Sequence, residues 1–142
     1  MSTALLVRSR KNGPVFFTDR EYGGWIASAS NSLDQIASSL KIPTIDSFTY
    51  MDPEILQEML EMVSEEKAEK ISKRLREQQE WHSPADGLNA IEALKTAVQN
   101  GATVEFRKGS PSFRDALIED LEAVSQILAE LKAEDSFRFE AA

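Results

Sequence analysis

The sequence predicts a mainly α-helical, compact single domain spanning residues 1–142, with a small antiparallel β element made from its N- and C-terminal ends. Helix-start signals recur, each a capping residue followed by proline, and each precedes apolar residues at helical spacing. These starts are Asp52-Pro53, Ser83-Pro84 and Ser110-Pro111. Short apolar runs typical of strands occur near the two ends, at Ala4–Val7, Val15–Thr18 and Phe137–Glu140.

The composition excludes several classes of protein. A chain of 142 residues is the usual size of one domain and contains no apolar run of the ~20 residues that a membrane helix needs. Its net charge of −8 disfavours nucleic acid and anionic membrane surfaces as partners. Without cysteine it has no disulfide, thiolate metal site or thiol nucleophile. The N-terminus lacks the basic start and apolar run of a secretory signal, so we expect a cytoplasmic protein.

The first forty residues predict a hairpin, a bend and a helix. Ala4–Val7 and Val15–Thr18 are joined by the turn signal Asn12-Gly13-Pro14. The adjacent glycines at 23 and 24 predict a bend. The following segment, Ser32–Lys41, predicts an amphipathic helix that is capped by Ser30 or Asn31 and ends before Pro43. Its apolar side chains recur at helical spacing, at Leu33, Ile36, Ala37 and Leu40.

The middle of the chain predicts a connector and two helices. Thr44–Tyr50 is the connector, and Asp52 then caps a helix whose first residue is Pro53. We expect this helix to bury one apolar stripe, which consists of Ile55, Leu56, Met59, Leu60 and Val63. Ser64 begins a second helix, largely solvated and rich in charge, that runs to Glu80.

The densest helix signals begin at Trp81. Ser83 is the predicted N-cap, Pro84 the first helical residue, and Asp86 completes a capping box. The buried face of this helix consists of Leu88, Ile91, Leu94 and Val98, and the helix ends at Asn100-Gly101.

The end of the chain predicts a helix and a strand. Residues 102–108 are compatible with either a strand or an ordered loop. The final helix follows Ser110-Pro111 and reaches Lys132, and the strand Phe137–Glu140 pairs with Ala4–Val7. The helix carries a wide apolar band, which consists of Phe113, Leu117, Ile118, Leu121, Val124, Ile127, Leu128 and Leu131.

A pattern of packing and capping residues resembles a known group of sequences. It consists of Trp81-x-x-Pro84-x-x-Gly87-Leu88, Asp120-Leu121 in the late helix, and Phe137-Arg138-Phe139 at the end. Over about residues 45–140 it is similar to a loose group of small uncharacterised bacterial proteins. The resemblance implies a bacterial origin and a shared fold. It implies no activity, so no functional residue is carried over.

The single histidine offers the one candidate for catalysis. Asp86 or Glu80 could orient His82 as a general base, beside a helix N-terminus able to hold an anion. In the other interpretation, which we favour, Trp81 anchors the helix entry in the core and His82 lies exposed at the cap. One histidine also excludes zinc sites built from several histidines, and we expect no metal and no cofactor.

An aromatic group near the N-terminus is the candidate binding surface. It consists of Phe16, Phe17, Tyr22 and Trp25. These side chains either cover one end of the helical core or form a surface for a partner or ligand, since Trp and Tyr are enriched in binding hot spots.

Taken together, these features predict a non-enzymatic protein that binds another protein, as a regulator, adaptor or immunity-type inhibitor. The alternatives are a small hydrolase-like enzyme using His82 and a small-ligand-binding protein with a pocket near Trp25. A homodimer would cover the wide apolar band of the final helix. The N-terminal strands and aromatic residues could equally cover it within one chain.

Overall fold

Helices make up most of the chain, and a small sheet joins its two ends. The computed structural model describes residues 5–15, 25–105 and 114–141. The strands are β1 (Leu5–Ser9), β2 (Gly13–Val15) and β3 (Phe137–Ala141). The helices between them are α1 (Ser30–Leu40), α2 (Ile45–Phe48), α3 (Pro53–Leu60), α4 (Glu65–Glu77), α5 (Pro84–Gln99) and α6 (Arg114–Glu130). The predicted fold class is confirmed.

The sheet is antiparallel, with the order β2-β1-β3. Val7 lies opposite Phe139, and Ser9 lies opposite Phe137. Because side chains alternate between the two faces of a sheet, this register sends Val7, Phe137 and Phe139 into the core, where each is fully buried. The pairing between the two ends and the presence of an N-terminal hairpin are confirmed, but Gly13 and Pro14, which were predicted in the turn, belong to β2. Residues 16–18 of the predicted second strand lie outside the described residues.

The second edge of β3 is also hydrogen-bonded. The His82 amide donates to the Phe137 carbonyl at 2.8 Å, and the Phe137 amide donates to the His82 carbonyl at 2.9 Å. The Tyr50 amide donates to the Phe139 carbonyl at 2.9 Å. β3 therefore holds the segments before α3 and before α5 as well as β1.

The core lies where α5 and α6 pack on each other and on the inner face of the sheet. Its helical side chains, all at most 1% exposed, include Ile91, Leu94, Val98, Leu117, Leu121, Val124 and Leu128. On α6, Ile118, Ile127 and Leu131 are half-buried and pack against this core. The wide apolar band is therefore largely covered within one chain, and it gives no separate reason for a dimer.

A glycine permits the closest approach between α5 and β3. A Cβ atom on Gly87 would lie 2.6 Å from Cε1 of Phe137 and closer still to Cζ. No Cβ is tolerated at such distances, so the Phe137 ring packs directly on the backbone of α5.

The helix ends are placed as predicted, but two caps differ. Asp52 caps α3 by accepting a hydrogen bond from the Glu54 amide at 2.9 Å. Ser83 occupies the N-cap of α5, yet its side chain makes no capping hydrogen bond, so the predicted capping box is wrong. The predicted cap of α1 is also wrong, because Ala29 holds that position and α1 begins at Ser30. Gly101, with φ of +98°, follows the end of α5 as predicted.

Three segments between the main helices were predicted to contain no helix, and two of them contain helical residues. Residues 25–28 are helical, although the segment 19–30 was predicted to be a bend and not a regular element; the glycines at 23 and 24 lie outside the described residues. The amide of Trp25 donates to Asp120 on α6 at 3.0 Å. The predicted connector Thr44–Tyr50 contains the short helix α2, which Thr44 caps. Residues 102–105 are neither helix nor strand. Phe113 and the Ser110-Pro111 start lie outside the described residues.

The charged middle of the chain forms two helices, as predicted. The chain leaves helical structure after Leu60, and Ser64 is the N-cap of α4. None of the side chains of α4 is fully buried. The predicted stripe on α3 is wrong, because Leu56 is its one fully buried residue.

We predict that Gly87→Ala lowers the free energy of unfolding by about 1–3 kcal/mol, because the added methyl group must displace the Phe137 ring or the helix. Urea unfolding measures the loss. Asn89→Ala, on an exposed position of the same helix, is the matched control and should change stability by less than about 0.5 kcal/mol.

A smaller side chain at position 137 should relieve the clash. The double variant Gly87→Ala/Phe137→Leu should therefore lose less stability than the two single variants together. Strict additivity would contradict the proposed contact.

Candidate functional site

A groove of about 890 Å³ separates α3 and α4 from the rest of the protein. On one side it is lined by the segment around α2 and by the entry to α5. On the other side it is lined by α3 and α4. The lining residues that the following argument uses are Asp46, Phe48, Leu56, Met59, Arg74 and His82.

α4 has no fully buried side chain, and polar contacts connect it to the other side of the groove. Arg74 donates from Nη1 to both carboxylate oxygens of Asp46, each at 2.9 Å. Its Nη2 donates to the carbonyl of Thr49 at 2.6 Å. Gln78 donates from Nε2 to the carbonyl of Met51 at 2.8 Å. The C-terminal half of α4 is therefore fastened to the segment that follows α2.

His82 lies at the groove with its ring packed between aromatic side chains. The ring meets Phe48 edge-on, with 5.0 Å between centroids, and lies 6.0 Å from the ring of Phe137. Its Nε2 atom is buried and has no hydrogen-bond partner in the described part of the chain. The backbone pairing of His82 with β3 fixes this orientation.

Burial lowers the pKa of His82 below its ordinary value of 6.5. The charge of Asp86 and the hydrogen bond to the Gln79 backbone both act in the opposite direction, and burial prevails. The imidazole is therefore neutral at pH 7, the form that a general base requires.

The structure brings His82 and Asp86 to the same groove, as the catalytic interpretation requires. Asp86 influences the ring through its charge, while Nε2 has no hydroxyl within hydrogen-bond distance among the described residues. Catalysis by a side-chain nucleophile would need a hydroxyl beside Nε2, which the described residues do not place there. Glu80 points elsewhere, since it forms an ion pair with Arg138.

Neither Trp81 nor His82 lies where it was expected, because both side chains are partly buried. Trp81 lies on the outer face of the sheet, where the guanidinium of Arg138 stacks on its ring at 4.6 Å and on the ring of Tyr50 at 4.2 Å. Glu140 accepts from Arg138 at 2.7 Å and from Arg8 at 2.6 Å. The interpretation in which Trp81 anchors the core and His82 is exposed is wrong. His82 is the residue that packs inward.

Three exposed apolar side chains lie along α3 and the turn that follows it, and form what we call the apolar row: Ile55, Met59 and Met62. They are 49%, 38% and 85% exposed. Their spacing of four and three residues is that of one helical stripe. The turn continues the stripe to Met62, because the Met62 amide donates to the Met59 carbonyl at 3.1 Å. Leu56, on the neighbouring stripe, is 1% exposed and packs inward. Met59 also lines the groove, so the row and the groove are continuous.

Carboxylates border the apolar row on its solvent side and form what we call the acidic rim: Glu54, Glu58 and Glu61. All three are exposed. From Asp52 to Glu66 the chain contains six carboxylates and neither lysine nor arginine. The cations that line the groove are Lys70, Lys73 and Arg74, all on α4.

The aromatic binding surface expected from the sequence is described only at Trp25. Phe16, Phe17 and Tyr22 lie outside the described residues. Trp25 is half-buried, packs against the core and does not line the groove. Sequence reasoning missed the apolar row because it assigned Ile55 and Met59 to the buried stripe. The row of glutamates beside them was a signal that this side of the helix faces solvent.

Among residues 5–15, 25–105 and 114–141, no group of three or more histidine, aspartate or glutamate side chains converges in an arrangement that could hold a metal ion. Within the same ranges, no helix combines the length and apolar character needed to cross a membrane.

We predict that acid destabilises the protein partly through His82. Since folding lowers its pKa, the unfolded chain takes up the proton first. This contribution to stability is complete above pH 6.5 and is lost as the pH falls from there towards the lower pKa of the folded state. His82→Phe keeps a ring but removes the titration. Because the ring is only partly buried, we expect the difference between the two proteins to change by no more than about 1 kcal/mol from about pH 7.5 to about pH 5.5.

Urea unfolding of both proteins at each pH measures this difference. The carboxylates are common to both and cancel, and the chain has no other histidine. Equal pH dependence in the two proteins would contradict the lowered pKa.

We predict that Arg74→Ala loosens α4 without unfolding the core, because it removes the contacts to Asp46 and Thr49. The free energy of opening α4 should fall by about 1 kcal/mol. Hydrogen exchange should then be faster at the amides of α4 and unchanged in α5 and α6. Arg76→Ala, at an exposed position of the same helix, should leave exchange unaltered. Equal effects of the two variants would show that Arg74 does not hold the helix.

No family model, curated protein or solved structure matches the chain.

Proposed function

We propose that this is a protein-binding protein that acts without catalysis, as a regulator, adaptor or immunity-type inhibitor. The observation that carries the proposal is the apolar row on α3. Among the described residues, four large apolar side chains are exposed, and three of them form this row. Single exposed apolar residues are ordinary, but a contiguous row beside a groove is typical of a contact surface.

The chemistry of the row suits contact with a protein. Met59 and Met62 are unbranched and polarisable, so they adapt to an incoming apolar side chain at little cost. Leu56 and the groove next to Met59 supply depth for an anchoring residue. The supporting helices are held partly by polar contacts at Arg74 and Gln78, which leaves the hairpin of α3 and α4 able to adjust to a partner.

A second candidate function is a hydrolase-like enzyme that uses His82. The neutral imidazole at the groove, with its unpaired Nε2, supports this candidate. No described residue places a nucleophile beside Nε2, so the catalytic role would need a nucleophile from elsewhere. The binding role needs only the exposed row. In either case we expect the protein to act in the bacterial cytoplasm, where a chain without cysteine is unaffected by reducing conditions.

We predict that the tagged protein retains a discrete protein from an extract of its source cells. The double variant Ile55→Asp/Met62→Asp should retain about tenfold less of that protein, because charges placed on the row must be desolvated on binding. Quantitative mass spectrometry of the retained proteins measures the change. Leu40→Asp is the matched control, since Leu40 is also 49% exposed but does not line the groove.

The variant His82→Phe separates the two candidate functions. This variant should retain the partner as well as the wild type does, because the ring at position 82 packs on Phe48 and Phe137 and is not part of the apolar row. Retention that is unaffected by the row variant, or that depends on His82 alone, would overturn the proposal.

A further inference from the structure

We infer that the partner presents a basic amphipathic helix, which packs its apolar stripe on the apolar row and directs its cations to the acidic rim. This inference rests on the proposed function and specifies the partner. It follows from the shape of the row, from the charge beside it and from the position of the cations on α4.

The shape of the row matches a helix. The row extends over the eight residues from 55 to 62, the last two of which lie in the turn after α3. Their seven steps correspond to about 10 Å along a helix axis. Two turns of a partner helix have the same length and place two or three apolar side chains on one stripe. Such a stripe packs beside α3 as one helix packs in the groove of another, with Met59 at the centre of the contact.

The charge beside the row selects the sign of the partner. Glu58 lies three residues after Ile55 and four before Met62, so it is adjacent to both on the helix surface. Glu54 and Glu61 extend the same border, and all three side chains are exposed. None of the three carboxylates forms a hydrogen bond or an ion pair with another described residue. A lysine or arginine on the partner would meet a carboxylate at each turn of the contact. The net charge of −8 on this protein also attracts a basic partner.

The same charges argue against other occupants. A second copy of the chain, related by a twofold axis through the row, would place Glu58 near its own equivalent. Anionic lipid and nucleic acid would meet carboxylates of like charge. On the groove side, Lys70 and Lys73 would repel cations. The partner helix is therefore basic on the flank that faces the acidic rim, and neutral or acidic on the flank that faces α4.

Synthetic helical peptides about 18 residues long test the inference. All have leucine at helical spacing, and their polar positions are lysine, glutamine or glutamate. Fluorescence anisotropy with the full chain should give the lowest Kd for the lysine peptide. Raising the salt from about 50 mM to about 500 mM should weaken that complex several-fold.

Variants locate the complex on the surface. Ile55→Asp/Met62→Asp should abolish it, and Glu54→Gln/Glu58→Gln/Glu61→Gln should weaken it about tenfold, as expected for the loss of three exposed ion pairs. The control Glu119→Gln/Glu130→Gln/Glu134→Gln removes the same charge from other exposed positions and should weaken it less than twofold. Circular dichroism confirms that each variant is folded.

The outcomes distinguish this inference from the proposed function. If the glutamine or glutamate peptide binds as tightly as the lysine peptide, or if the two charge variants weaken binding equally, the inference is overturned, while retention of a cellular protein through the row still supports protein binding. Failure of every peptide to bind also overturns it. Light scattering that shows a dimer lost in the row variant would assign the row to a second copy of the chain.

Discussion

The ring of Phe137 packs on the bare backbone of α5 at Gly87, and several other features depend on that contact. It brings the entry of α5 against β3, so that His82 pairs with the backbone of Phe137. Phe48 then packs on both rings, at 5.0 Å from His82 and 5.5 Å from Phe137. One side of the groove is thus a small aromatic cluster whose geometry is set by a residue without a side chain.

The molecule divides into a densely packed centre and a lightly held periphery. Arg138 covers part of the outer face of the sheet. Its guanidinium stacks on the rings of Tyr50 and Trp81, and its charge is paired with Glu140. The hairpin of α3 and α4 has one fully buried residue, Leu56, and relies on Arg74 and Gln78 for its remaining attachment. The surface proposed for binding therefore lies on the part of the fold with the least packing, where adjustment costs least.

The parts that could be predicted from the sequence are those with local signals. Asp52-Pro53 and Ser83-Pro84 mark helix starts because caps and prolines act within one turn, and the spacing on α5 and α6 reports one continuous buried face. The site required non-local information. Two adjacent apolar stripes on α3 look like one stripe in sequence, and only the limited cover offered by α4 decides that Leu56 is buried while Met59 is not. Whether Trp81 or His82 faces inward depends on pairing with Phe137, a residue more than fifty positions away.

The order of the strands has a consequence for the synthesis of the protein. Arg8 and Glu140, which form an ion pair across β1 and β3, are 132 residues apart in sequence. At ordinary rates of translation, β3 is made on the order of ten seconds after β1. During that interval β1 has only β2 as a partner, and a two-stranded hairpin is marginal in water. The central strand of the sheet must therefore wait for almost the whole chain, which makes closure of this long loop a late step of folding and leaves the apolar face of β1 accessible to chaperones until then.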